Sequence, residues 1–273
     1  MRENARSPII LYRVPDQVSS QIIYEQPLNE RIRAFLRLEF LFKWTRHHLA
    51  QPSPWDSRAA LASILDILSI LSRTELKSEL IKELERHAVK LSRLERNPEV
   101  DRDRLESVLD ELDALVDNLH TVNGQIAQDL KHNDFLVSIR QRGAIPGGTC
   151  DFDLPAYHYW LQLPADQRQR DLAAWFVNFE TVAKSIRLIL QLTRESSQPQ
   201  KEIAAGGFFQ RNLDPAIPCQ MVRVALPVDS PYYAAISGGR HRFTVRLLEQ
   251  NSDQDRAVQA TEDVEFHLSC CVV

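Results

Sequence analysis

"ESSQPQK", residues 195–201, separates two textures of sequence. Before it, leucine recurs at helical spacing. After it, β-branched and aromatic residues alternate with polar ones, and turn residues gather. Glycine follows the same divide: it is absent before Gly124, then clusters at 143–148, 206–207 and 238–239. The stretch itself is polar, carries Pro199 and lacks apolar periodicity, as a joint does. The expected fold class is α+β, with an N-terminal all-helical, bundle-like domain over 21–197 followed by a C-terminal antiparallel β domain over 198–273.

Upstream of the joint the helices can be placed one by one. Asn29 is positioned to cap a helix carrying Ile32, Phe35 and Leu36. A second, after "PSPWDS", shows Ala60, Leu61, Ile64, Leu65, Leu68 and Leu71 on one side. A third carries Leu76, Leu80, Leu84, Ala88 and Leu91, and pairs Glu79 with Lys82 and Glu83 with Arg86. The fourth has the seam Leu105, Val108, Leu112, Leu115 and Leu119 of a helical hairpin or bundle. A last long helix, from about Asp166 to Thr193, puts Leu172, Trp175, Phe176, Phe179, Ala183, Ile186 and Leu190 on one face. That face reads as core or subunit interface.

Downstream, "QMVRVAL" (220–226), "RHRFTVRLL" (240–248) and "TEDVEFHLSC" (261–270) alternate as strands do. They predict an antiparallel sheet with one wet face and one dry face packed on the helices. On the middle strand Arg240, Arg242, Thr244, Arg246 and Leu248 point one way, and His241, Phe243, Val245 and Leu247 the other. Three arginines on one face with no acid between them repel, because alternate residues are under roughly 7 Å apart. Their counter-charges come from internal carboxylates or from an external acidic ligand.

The totals narrow the function classes. A net charge of −4 and a pI near 6.1 argue against a general nucleic-acid binder, so any basic patch is local. No apolar run approaches the roughly 18 to 20 residues that span a bilayer. The opening "MRENARSPIILYRVPDQVSS" is broken by Tyr12, Arg13 and Pro15, which excludes a secretory core and leaves a cytoplasmic protein as the expectation. The four cysteines include adjacent Cys270 and Cys271, with no CxxC and no histidine at zinc-finger spacing. Neither a metal site nor a cofactor is expected, and Gly147–Gly148 lacks the Lys-Ser/Thr of a phosphate loop.

Among candidate sites, Cys150 and His158 in "IPGGTCDFDLPAYHYWL" would make an enzyme only as a thiol–imidazole pair within hydrogen-bond reach. The stronger account makes Asp153 an N-cap, Pro155 a first-turn residue and Tyr157, Trp160 and Leu161 a packing face. His47–His48 reads as a helix-end pair. Arg33 and Arg37 share a helix face, with Glu30 at hand for Arg33. Arg140 and Arg142 sit at a helix end, where cations suit the dipole. The 240–246 arginines would also serve a binder of nucleic acid or anionic lipid.

Several stretches together resemble the ZapD family of Z-ring-associated division proteins. They are "YEQPLNERIRAFLRLEFLF" (24–42), "SELIKELERH" (78–87), "SIRQRGAIPGGTCDFDLPAYHYWLQLP" (138–164), "SGGRHRFTVR" (237–246) and the closing "FHLSCC". The match runs from about Ile22 to Cys271 and leaves 1–20 as a variable extension. The resemblance implies a cytoplasmic, non-enzymatic division-site protein. It would bind the C-terminal tail of FtsZ and, as a homodimer, bundle FtsZ filaments, with neither nucleic acid nor membrane as partner. It implies a positively charged pocket between the helical and β domains. Matching motifs carry over Arg242 and Arg246, His158 from the "FDLP" helix, and Arg37 and Arg73. Arg240 shares the strand pattern, and Arg140 is added on charge alone. Asp134 and Asp151, nearby in sequence, would weaken a purely basic pocket. The dimer surface is expected on the 166–193 helix or the first helix.

Overall fold

The computed structural model describes residues 20–272, apart from 73, 74, 99, 123 and 251–255. In chain order the elements are β1 (Gln21–Pro27), α1 (Glu30–Leu49), α2 (Pro54–Leu71), α3 (Leu76–Ser92), α4 (Arg102–Thr121), α5 (Gln128–Lys131), α6 (Asp134–Gly143), α7 (Pro155–Gln162) and α8 (Ala165–Phe176). A 3-10 turn (Val177–Phe179) leads into α9 (Glu180–Glu195). There follow β2 (Gln200–Ala204), β3 (Phe208–Asn212), β4 (Cys219–Pro227), β5 (Tyr232–Gly238), β6 (Arg242–Glu249), β7 (Val258–Gln259) and β8 (Val264–Val272). Helices therefore precede an antiparallel β region, the α+β class read from the sequence.

Local signals explain most of the boundaries. The Asn29 side chain accepts the Ile32 N–H at 2.9 Å, the capping bond expected of it. Ser53 caps α2 through the Trp55 N–H, and Asn133 caps α6 through the Leu136 N–H at 3.1 Å. Asp153 does not cap α7. Leu154 holds that position at φ −133° and ψ 74°, outside the helical region as the residue before a proline tends to be, and the Asp153 carboxylate accepts from Cys150 instead. The expected 166–193 helix is interrupted at Val177–Phe179. There the Asn178 side-chain amide donates to the carbonyls of Ala174 and Trp175, competing with the helical ladder.

The chain divides into two compact units whose boundaries fall inside α1, α3, α4 and α9. One unit is a β-sandwich with helix ends attached. Its first sheet runs β1-β4-β8-β2 and its second β3-β6-β5, with β7 paired to β6. Val222, Val224, Leu226, Phe266 and Leu268 of the first meet Phe243, Val245, Leu247 and Ala234 of the second. The dry faces thus cover each other, where one sheet packed on helices was expected. Residues 21–27, which composition places with the helical part, are a strand antiparallel to β4, with Tyr24 opposite Val224. Glu25 on that strand accepts from Arg194 Nε at 2.8 Å and Arg223 Nε at 3.0 Å, tying the end of α9 to β1 and β4.

The turn between β2 and β3 carries the chain from one sheet to the other through Gly206 and Gly207. Gly207 has φ +70°, and a Cβ there would lie 2.7 Å from the Ala260 carbonyl oxygen. Left-handed strain and this backbone clash together predict that Gly207→Ala loses about 2–3 kcal/mol in urea unfolding. Gly206→Ala, whose Cβ would meet only the Thr261 oxygen at 3.8 Å, should lose about 1 kcal/mol.

The other unit is helical. Its core includes Phe35, Leu38 and Phe42 of α1, Leu61, Ile64 and Leu68 of α2, Leu80 and Leu84 of α3, and Leu112 and Leu119 of α4. Phe42 and Phe176 meet edge to face at 6.1 Å, and the Phe135 ring contacts Tyr157, Trp160 and Trp175. The aromatic half of the α8 face is thus used within the unit.

Candidate functional site

The strand expected to carry arginines is β6. Arg242 and Arg246 are exposed on it, while Phe243, Val245 and Leu247 are buried, as the alternation requires. Arg240 is not on the strand. The Gly239 N–H donates to the Arg242 carbonyl at 3.0 Å, closing a hairpin whose tip is Arg240 and His241, both exposed. Gly238 is required beside it, because a Cβ there would sit 2.8 Å from the Phe243 Cβ. Only two arginines therefore share the strand face, about 13 Å apart along the strand. Their mutual repulsion is largely screened at that distance.

Register identifies what surrounds them. Arg246 lies between Phe208 of β3 and Ala235 of β5, Thr244 between Gln210 and Ser237, and Arg242 beside Asn212. No carboxylate occupies these cross-strand positions. Among the described residues none of the three arginines is ion-paired, whereas Arg211, Arg223 and Arg194 in the same unit are. A concavity of about 440 Å³ opens at the hairpin, lined by Gln210, Ser237, Gly239, Arg240, His241, Arg242 and Thr244. This surface presents guanidinium forks and neutral hydrogen-bonding groups, the chemistry that grips a carboxylate-bearing segment.

The other sequence-derived candidates belong to the helical unit, apart from Arg73, which lies outside the described residues. Arg37 is exposed on α1 with no ion pair among the described residues. Arg33, one turn earlier and in the β unit, pairs with Glu30 at 3.2 Å, as expected. Arg140 is exposed in the last turn of α6. His158 on α7 has its Nδ1 2.9 Å from Asp151 Oδ1, and Arg58 reaches the same oxygen at 3.6 Å. Asp151 therefore balances the charge around His158. Cys150 contacts Asp153 at 3.4 Å and His158 contacts Asp151, so sulfur and imidazole have separate partners and form no thiol–imidazole dyad.

A cleft of about 660 Å³ that sequence reasoning missed lies along α2, α6 and the start of α7. Trp55, Leu65, Ile139 and Tyr157 give it apolar walls, and Arg58 and Arg140 give it cations. Arg58 stacks on Tyr157 at 5.0 Å and on Trp55 at 5.5 Å. Burial pushes the Tyr157 hydroxyl up to about 12 despite the nearby guanidinium, and raises the Asp66 carboxyl. The available signal was Trp55 within "PSPWDS", a large aromatic at a helix start that remains 77 % exposed.

Comparison with known proteins bears on these surfaces. The family profile described as ZapD, cell division protein, matches residues 36–246. The chain belongs to the ZapD family. It is 44 % identical over 256 residues to the cell division protein ZapD of Methylococcus capsulatus, covering 94 % of this chain and 100 % of that protein. It is 38 % identical over 255 residues to the ZapD of two Coxiella burnetii strains, covering 93 % of this chain and 99 % of theirs. A role in cell division follows. The ZapD match spans Arg37, Arg140, His158 and the 240–246 arginines. Among the described residues no helix is long and apolar enough to cross a membrane.

Proposed function

We propose that this protein binds the C-terminal tail of FtsZ through the arginine face of the β-sandwich. As a homodimer with two such faces, it cross-links FtsZ filaments into bundles at the division site in the cytoplasm. The observation that carries this reading is the outer face of β3-β6-β5, where Arg242 and Arg246 stand exposed among neutral neighbours. A mixed-charge tail offers carboxylates to those guanidiniums and apolar side chains to Phe208, which is 41 % exposed beside Arg246. His158, Arg37, Arg73 and Arg140 are proposed as further contacts. For the dimer surface, α1 is favoured over the 166–193 segment. Phe40 and Trp44 lie one turn apart on α1, their rings in tilted contact at 5.5 Å, and are 57 % and 44 % exposed.

Bivalency supplies the bundling. One tail on one face binds weakly, but a filament displays many tails, so engaging two filaments gains avidity without new contacts. The test is sedimentation of polymerised FtsZ with the purified protein. Full-length FtsZ should pellet it, less so as salt rises, and tail-deleted polymer should leave it in the supernatant. Equal pelleting by tail-deleted polymer would overturn the reading. Equal retention by DNA or anionic vesicles would reassign the same arginines to phosphate.

A further inference from the structure

The β-sandwich holds a second cluster of reactive groups that tail binding does not use. Cys219 opens β4 and pairs in register with Val272, two residues along the same face of β8 from Cys270. The register shifts between Cys219 and Met221, placing a bulge at this point. The Cys219 S–H donates to the Met221 carbonyl at 3.3 Å, and the Cys219 and Cys270 sulfurs are close enough to perturb each other's ionisation. Both are free, half-buried thiols packed at the margin of the sandwich core. The Arg211 guanidinium, held by Glu202, lies near the Cys270 sulfur and favours its thiolate.

We propose that Cys219 and Cys270 form a peroxide-sensitive dithiol that closes to an intramolecular disulfide. The Cys270 thiolate attacks one oxygen of hydrogen peroxide. The O–O bond breaks, hydroxide leaves and is protonated to water, and Cys270 becomes a sulfenic acid. The Cys219 sulfur then attacks Cys270. An S–S bond forms as the S–O bond breaks, and the Cys219 proton leaves with the departing hydroxide as a second water. Two thiols and one peroxide thus give one disulfide and two waters.

The surroundings assign the roles. The neighbouring Cys219 thiol and the Arg211 guanidinium hold the Cys270 thiol down to about 7, against burial and the Glu202 charge. Cys219 is pushed the other way by its Cys270 neighbour and by burial. Its S–H is engaged by the Met221 carbonyl at 3.3 Å and among the described residues no guanidinium acts on it, so it takes the resolving role. Cys271 is fully buried and raised to about 12, chiefly by burial, which keeps it out of the reaction. Cys150 has the Asp153 carboxylate as neighbour, where Cys270 has a guanidinium. Because β4 and β8 are hydrogen-bonded neighbours and the bulge after Cys219 lies on the Cys270 side, the two cysteines need no exchange of strands to meet.

The experiment treats the full-length protein with hydrogen peroxide, blocks residual thiols with iodoacetamide and maps peptides by mass spectrometry. The expected product is lighter by two hydrogens, contains a Cys219–Cys270 cross-linked peptide, and reverts with dithiothreitol. Cys219→Ser should leave Cys270 as a sulfenic acid trapped by dimedone, and Arg211→Gln should slow oxidation several-fold. Linkage through Cys271, linkage between chains, or Cys270 oxidising no faster than Cys150 would overturn the assignment. The wild-type peptide map decides the matter even where a serine variant folds poorly.

Discussion

Arg242→Glu and Arg246→Glu are each expected to weaken binding of a synthetic FtsZ C-terminal peptide by about 10- to 100-fold, with dimerisation and helical signal unchanged. A charge-assisted pair of this kind is worth about 1.5–3 kcal/mol, and each 1.4 kcal/mol is tenfold in affinity. Reversal adds repulsion to the loss. Both residues are exposed and without an ion pair among the described residues, so the fold does not depend on them. That separates a binding effect from a stability effect. Their spacing of about 13 Å matches an extended segment with acids four residues apart, so the double reversal should exceed either single one. Arg240→Glu at the hairpin tip should cost less, because a two-residue turn holds its side chain less rigidly than a strand. Lysine at 242 or 246 keeps the charge but not the fork and should bind at an intermediate level. Fluorescence anisotropy with a labelled peptide reads all six variants. If both single reversals bind as the wild type does, the strand face is not the site.

That face was legible because alternation is a local property: Phe243, Val245 and Leu247 fix which side is buried without knowledge of their neighbours. What covers the buried side is not local. The same pattern suits a sheet on helices or a sheet on a second sheet, and here β4 and β8 meet β5 and β6. The first strand escaped notice because β1 is an edge strand without a fully buried residue, leaving no apolar rhythm to read. Three arginines on one face reduced to two because residue-by-residue counting cannot see where a hairpin turns. The helix caps at Asn29 and the leucine seam of α4 were visible because their partners lie within a turn or two. Asp151 was noticed as a nearby charge, but its pairing with both His158 and Arg58 needed coordinates, since Arg58 lies on another helix. The helical cleft was hidden for the same reason, its walls coming from residues 55–69 and 139–157.

The largest loss of stability should come from a residue that composition places on the surface. Arg168 is 4 % exposed and has no ion pair among the described residues. Its guanidinium donates to Ser57 Oγ at 3.0 Å, to the Pro52 carbonyl at 2.6 Å, and to the carbonyls of Leu161 and Leu163. One planar fork therefore joins the chain entering α2, the end of α7 and the first turns of α8. A buried charge is tolerated here because its donors meet oxygens that no helix ladder satisfies. Arg168→Met keeps most of the stem volume but leaves the buried Ser57 Oγ and Leu161 carbonyl without their donor, at about 1–3 kcal/mol each before any relaxation. The Pro52 and Leu163 carbonyls are partly open to water. The expected net loss is about 3–5 kcal/mol, seen as a lower urea midpoint at unchanged slope. Arg168→Lys retains the charge but replaces the fork with a single ammonium that reaches fewer of the four acceptors, so it should recover only part of the loss. A methionine variant with the wild-type midpoint would mean that water satisfies these oxygens once the guanidinium is gone, making the buried charge dispensable to the helical unit.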